Sequence, residues 1–307
     1  MAANVLSYLR LPVLASSGVA VLASGILYFK QNEVIYPRSL PPGSRTEVPA
    51  PSQFGITNAE DLHIPTSDNE SLHAYLLRPA NHSIAQPITI LMFHGNAGNI
   101  GHRLPIGKIF SDSLGCNVLM LEYRGYGLST GTPDEKGLVI DAQTALDYIR
   151  DRKELRDTKI VIYGQSLGGA VAVDLVSRNR GAEKVLAGLI LDNTFLSIKK
   201  MIPAAFPPAR YLARLCHQYW PSEESIPKIT DVPILFISGL KDEIVPPSHM
   251  RQLYDLSRAK KKIWRALPNG THDGSVAEEG YFDYVFEFLM GDVMGYKLSQ
   301  DSDEDNH

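Results

Sequence analysis

Two kinds of hydrophobic pattern take turns along this chain. One is a short run that is apolar almost throughout and rich in Ile, Val and Leu. Pro87–Phe93, Asn117–Tyr123, Ile160–Tyr163, Leu189–Leu191 and Val232–Gly239 are such runs. Each predicts a strand buried on both faces, as in a parallel sheet. The other pattern spaces apolar residues by three and four. Over Glu135–Arg150 these are Leu138, Ala142, Ala145, Leu146 and Ile149, which predicts an amphipathic helix. Further helices are predicted over His102–Leu114, Leu167–Arg178 and about Ser248–Arg258, with a strand at Lys262–Leu267 and a final helix after Gly274. Leu62–Ile64 and Leu72–Leu77, split by the polar stretch Thr66–Glu70, predict a hairpin at an antiparallel edge. Strands alternating with helices define an α/β fold: a mostly parallel, twisted sheet with helices on both faces.

Four segments fall outside this rhythm. Leu11 to Phe29 carries no charge and is bracketed by Arg10 and Lys30. As a helix it spans ~28 Å, close to the ~30 Å hydrocarbon core of a bilayer. Residues 1–34 therefore predict a single-pass membrane anchor of the signal-anchor type. A cleaved signal peptide ending near Leu22-Ala23-Ser24 is the competing reading. Lys30, Arg38 and Arg45 against Arg10 slightly favour a cytosolic main domain. Three glycosylation-type triplets begin at Asn69, Asn81 and Asn269 and point the other way; they are read as chance, and the side of the membrane stays open. Residues 35–54 are rich in Pro and Ser and predict a linker, leaving 55–292 as the main domain. Within it, residues 195–230 interrupt the rhythm with Met201, Phe206, Tyr211, Trp220 and several prolines. This predicts a small cap segment that suits an acyl chain, although the same side chains could simply cover the sheet. Residues 293–307 predict a disordered acidic tail.

Composition narrows the class. With 44% hydrophobic and 21% charged residues, 307 residues fit one ordinary globular domain plus the terminal segments. A net charge of −4 with no Lys/Arg block argues against a nucleic-acid partner. The two cysteines, Cys116 and Cys216, allow no disulfide framework and suggest no metal site. No cofactor or metal is implied, and nothing sets an oligomeric state.

The candidate chemistry centres on Gly164-Gln165-Ser166-Leu167-Gly168, which follows a predicted strand and opens a predicted helix. This is the nucleophile-elbow pattern of α/β-hydrolases, in which glycines two residues either side let a tight turn lift the serine. The five-residue pattern alone recurs by chance in roughly one such chain in ten, so its partners decide. A serine hydroxyl needs a base, and the base an orienting group. In this fold an acid and then a histidine follow the serine. Asp242 follows the strand ending at Gly239, where open α/β sheets place their sites; Glu243 and Asp192 are the substitutes. His272 lies on the loop after the last strand, with His249, at a helix start, as competitor. Negative charge on the substrate oxygen needs preorganised donors. The backbone N–H of Leu167 supplies one. The loop His94–Asn99 supplies the other, with the Asn96 N–H as candidate and Ala97 as the one-residue alternative. His94 is read as a buttress of that loop.

Four stretches together carry a resemblance: His94–Asn99, Tyr123-Arg124-Gly125-Tyr126-Gly127-Leu128-Ser129, Gly164–Gly169 and Asp192-Asn193-Thr194-Phe195. Residues from about 55 to 290 resemble the α/β-hydrolase superfamily. More narrowly, they resemble the membrane-anchored serine hydrolases related to the fungal Bem proteins and to alpha/beta-hydrolase domain-containing protein thirteen. These are similar in turn to the protein depalmitoylases of the seventeenth subgroup. Asp273-Gly274 departs from the Asn-Asp expected there. The resemblance implies a Ser–Asp–His hydrolase on a membrane, with Ser166 as nucleophile, His272 as base, Asp242 as orienter, and Asn96 and Leu167 as oxyanion donors. The expected substrates are carboxylic esters or thioesters with lipid-like acyl groups, including protein palmitoyl thioesters. The rival readings are a non-catalytic membrane adaptor with the same fold and a serine peptidase.

Overall fold

The computed structural model of the chain describes residues 24–26, 28–79, 88–181, 186–205 and 213–297. Eight strands form one sheet: β1 (Ala59–Pro65), β2 (Ser71–Leu77), β3 (Ile88–Phe93), β4 (Asn117–Leu121), β5 (Lys159–Gln165), β6 (Leu186–Asp192), β7 (Ile234–Gly239) and β8 (Lys262–Leu267). Their order is β1-β2-β4-β3-β5-β6-β7-β8. β1 pairs antiparallel with β2, and β2 with β4; every later pairing is parallel. The carboxyl ends of β3, β5, β6, β7 and β8 therefore share one edge.

Period-two alternation in the central strands divides the core. Leu91 and Phe93 of β3, with Ile160 and Ile162 of β5, pack on one face; Ile90 and Met92, with Val161 and Tyr163, pack on the other. Both faces are covered, which is why these strands read as unbroken apolar runs. The first face meets helices α2 (Glu135–Asp151) and α3 (Leu167–Arg178), through Leu138, Ala142, Ala145, Leu146 and Ile149 of α2. Asp134 caps α2, its carboxylate accepting from Gly137 N at 2.7 Å. The second face meets α1 (Leu104–Lys108) and the C-terminal helix α7 (Tyr281–Glu287). Completing the set are α4 (Ile198–Ala205), the single turn α5 (Ser222–Ser225) and α6 (Pro247–Leu256).

Several expected boundaries shift for identifiable reasons. The helix expected over 102–114 begins at Ile100 and is composite: a 3-10 turn over Ile100–Arg103, then α1, then a wider turn over Ile109–Ser113. The strand expected to reach Tyr123 ends at Leu121. There Glu122 turns inward, and its Oε2 accepts from Ile100 N at 3.0 Å. Val293, expected to open the tail, is instead buried in the core beside Gly188.

The largest departure is the segment 35–54, expected as a linker. It lies packed on the domain. Tyr36 is buried, and Gly98 N donates to Leu40 O at 2.7 Å. Arg45 Nη1 donates to Gly127 O at 2.7 Å. Asn99 Nδ2 donates to both Ser44 O and Glu47 O at 3.0 Å. The acceptors on this strap are backbone carbonyls, which its Pro- and Ser-rich composition does not advertise. No helix among the described residues is long and apolar enough to cross a membrane. Most of the run Leu11–Phe29 lies outside the described residues, as does the tail beyond 297.

Asn99 is the fastener. It is fully buried, and its Oδ1 also accepts from His102 N at 3.2 Å. Asn99→Ala strands two carbonyls at about 1–3 kcal/mol for each group that finds no water, whereas His102 N still donates to the backbone carbonyl of residue 99. The expected loss is about 2–4 kcal/mol of unfolding free energy, measured by denaturant titration. A loss below about 1 kcal/mol would mean that the strap is not held this way.

Candidate active site

The turn between β5 and α3 leaves no room for side chains beside Ser166. A Cβ on Gly164 would meet Gly168 O at 2.2 Å, and one on Gly168 would meet Phe93 O at 2.2 Å. Ser166 itself adopts φ 53°, ψ −118°, a conformation that non-glycine residues avoid unless their surroundings impose it. The surroundings do so here. Ser166 N donates to Asp192 O at 2.9 Å, and Thr194 Oγ1 donates to Ser166 O at 2.7 Å. The serine is pinned between β5 and the end of β6.

Side chains from three strand ends meet at this point. His272 Nε2 lies 3.0 Å from Ser166 Oγ, and His272 Nδ1 lies 2.8 Å from Asp242 Oδ2. Because a carboxylate only accepts, this network assigns the ring proton to Nδ1 and leaves Nε2 free to accept from the serine. All three side chains are buried. Asp242 is oriented in turn: its Oδ1 accepts from Ile244 N at 2.9 Å and Val245 N at 2.8 Å. Burial alone would push the His272 pKa down. The hydrogen bond and negative charge of Asp242, with Asp273 and Asp192 nearby, outweigh it and hold the pKa above the ordinary 6.5.

The substitute residues are occupied elsewhere. Glu243 Oε2 accepts from His272 N at 3.2 Å, fixing the histidine's backbone rather than its ring. Asp192 Oδ2 accepts from Tyr281 OH at 3.0 Å and Tyr163 OH at 3.2 Å. Its complete burial pushes its pKa up to about 7, against the pull of these two hydroxyls. His249 is buried at the start of α6, its Nδ1 without a hydrogen-bond partner among the described residues, and burial lowers its pKa.

Asn96 and Leu167 line the same cleft as Ser166. Leu167 is the first residue of α3, where the helix dipole favours an anion. The loop carrying Asn96 is held from beneath. Tyr123 OH donates to His94 O, and Tyr126 OH donates to Asn96 O, both at 2.9 Å. His94 Nδ1 donates to Gly95 O at 2.7 Å, and its Nε2 lies 3.1 Å from the buried Glu122 Oε1. His94 is thus committed to the loop.

Sequence reasoning gave Asn193 no role, although it ties the site together. At φ 46° its amide donates to Thr271 O and His272 O at 3.1 Å and to Ser275 Oγ at 2.9 Å, while its Oδ1 accepts from Gly239 N at 2.8 Å. The ends of β6, β7 and β8 are joined through this one side chain. The only signal was its place in the quoted stretch Asp192–Phe195. The cleft is open to solvent, encloses about 740 Å³ including its mouth, and is walled by Phe195, Ile198 and Met201 among others. Among the described residues, no group of three or more His, Cys, Asp or Glu side chains is arranged to hold a metal.

Comparison with known proteins agrees with this architecture. The chain is 44% identical to Protein bem46 of Schizosaccharomyces pombe over 93% of both chains. It is 36% identical to an alpha/beta hydrolase domain-containing protein of Arabidopsis thaliana, WAV2, over 83% of this chain and 85% of that one. The chain belongs to the Bem46-like α/β-hydrolases. By family it is a hydrolase. The family described as serine aminopeptidase, S33, matches residues 86–228, a span that includes Ser166 and stops short of Asp242 and His272. A Saccharomyces cerevisiae relative, 39% identical over 89% of this chain and 93% of its own length, is named an uncharacterized membrane protein. Among solved structures, an alpha-beta hydrolase from Vibrio vulnificus superposes with a TM-score of 0.69 at 20% identity, covering 85% of this chain and 92% of that one. The esterase Pf2001 of Pyrococcus furiosus superposes at 0.64 and 17% identity, covering 81% and 97%. At these identities the likeness is one of fold.

The ion pair makes a direct prediction for His272. In the wild type its ring keeps a proton above pH 6.5, as followed by NMR. In Asp242→Asn the charge that opposes burial is gone, and the ring should titrate below 6.5. Equal titration in both proteins would show that Asp242 does not set the charge of this ring.

Proposed function

We propose that this chain is a serine hydrolase that cleaves carboxylic esters or thioesters through an acyl-enzyme at Ser166. The observation that carries the reading is the single imidazole of His272 bridging Ser166 Oγ at 3.0 Å and Asp242 Oδ2 at 2.8 Å in a buried site. Ser166 Oγ attacks the carbonyl carbon as its proton passes to His272 Nε2. The imidazolium is stabilised by Asp242, which also fixes the productive tautomer. The carbonyl electrons move onto oxygen, where the backbone N–H groups of Leu167 and Asn96 receive the charge. Collapse breaks the bond to the alcohol or thiol, which takes its proton from Nε2. A water molecule, deprotonated by the same nitrogen, then releases the acid and restores the serine.

The cleft favours acyl groups over peptides. An aminopeptidase needs a carboxylate near the scissile bond for the substrate's α-ammonium group. Among the described residues lining the cleft none is charged, and most are aliphatic. The uncharged run Leu11–Phe29 anchors the chain in a membrane on this reading, which brings the cleft near lipids and acylated proteins. Palmitoyl thioesters on cytosolic proteins are included only if the main domain faces the cytosol. Protease protection that put it in a lumen would remove them.

The test is a fluorophosphonate probe applied to the full chain. The wild type should be labelled and should hydrolyse p-nitrophenyl esters or acyl thioesters; Ser166→Ala should lose labelling and about 10⁴–10⁶ of turnover. Labelling that persists in Ser166→Ala would remove the serine from the mechanism. Folded wild type that neither labels nor turns over would favour a non-catalytic adaptor.

A further inference from the structure

One wall of the cleft comes from an unexpected part of the chain. Val34 and Ile35, at the end of a helical stretch over residues 28–35, line it together with Met201 and Ile202 of α4. Val34 is 65% exposed and Ile244, also lining the cleft, is 46% exposed. Residues that merely cover the sheet would be buried. These two stand at the rim, apolar and wet, where an apolar ligand would remove them from water.

The wall is fixed to the rest of the site. Asn96 Nδ2 donates to Ile35 O at 3.3 Å, so the helix end touches the loop that faces Ser166. Tyr36 OH donates to Gln218 Oε1 at 2.8 Å and accepts from Trp220 Nε1 at 2.9 Å, all three buried. Gln31 Oε1 accepts from His217 N at 2.8 Å. The helix and the chain around 217–220 are thereby clasped together.

We propose that this helix end is the acyl-selecting wall of the cleft. An acyl chain on Ser166 runs along Ile35 and Val34, and the substrates are medium- to long-chain acyl esters or thioesters rather than acetyl esters. The proposal rests on the hydrolase reading above. Each methylene buried on this wall is worth about fourfold in kcat/KM.

The test uses the full chain in detergent with p-nitrophenyl acetate and octanoate, scored as the octanoate-to-acetate ratio of kcat/KM. The wild-type ratio should be well above one. Val34→Asp should lower it about tenfold or more, and the near-isosteric Val34→Thr about threefold. Glu33→Gln, on the same helix but outside the cleft lining, should leave it unchanged. A ratio within twofold of wild type in both Val34 variants, with octanoate still hydrolysed, overturns the wall. If the wild type hydrolyses neither ester and Ser166 takes no fluorophosphonate, the hydrolase reading itself has failed and the proposal falls with it.

Discussion

Between β5 and α3 the backbone approaches its neighbours so closely that only hydrogen fits at residues 164 and 168. That close approach forces Ser166 into its unusual conformation and aims its hydroxyl out of the sheet edge. Everything else in the site is arranged around this fixed point. β3 pairs in parallel with β5, and α3 lies so close to it that Phe93 O sits where a Gly168 side chain would be. β6 lies on the other side because its Asp192 carbonyl takes the Ser166 N–H. The parallel order of the sheet then places the ends of β7 and β8, with Asp242 and His272, within reach.

The site is held firmly around Ser166 and is apolar in the cleft beside it. Asp242 is held by two backbone N–H groups, the His272 backbone by Glu243 and Asn193, and the Asn96 loop by two tyrosine hydroxyls. Such preorganisation lets a site meet a developing charge without reorganising at the moment of reaction. The cleft beside it offers almost only hydrocarbon. One strap of chain, residues 35–47, serves both regions. It steadies the Asn96 loop through Ile35, Leu40, Ser44 and Glu47 carbonyls, and its first residue, Ile35, lines the cleft beside Val34.

Legibility in the sequence followed the range of the signal. The α/β alternation was visible because strands buried on both faces must be apolar throughout. Ser166 was visible because its glycines are local. Asp242 and His272 could be named because each follows a readable strand, so topology stood in for distance. Asn193 could not be, since its four bonds join residues far apart in sequence and an asparagine after a strand looks like any turn. The strap was misread as a linker for a similar reason. Its Pro and Ser content describes side chains, whereas its attachments are backbone carbonyls accepting from Gly98, Asn99 and Asn96. Val34 was assigned to an anchor because the uncharged run before it suggested a bilayer, Ile35 to the linker that follows, and nothing local linked either to Ser166.

The account stands or falls on Ser166 becoming acylated. The direct measurement is acid quenching of the full chain during turnover of an acyl ester, followed by peptide mapping by mass spectrometry. The account predicts the mass of one acyl group on the peptide containing Ser166, and no adduct once Asp242 or His272 is replaced by alanine. An acyl group found on another residue, or product formed with no acylated protein at any quench time, would contradict it.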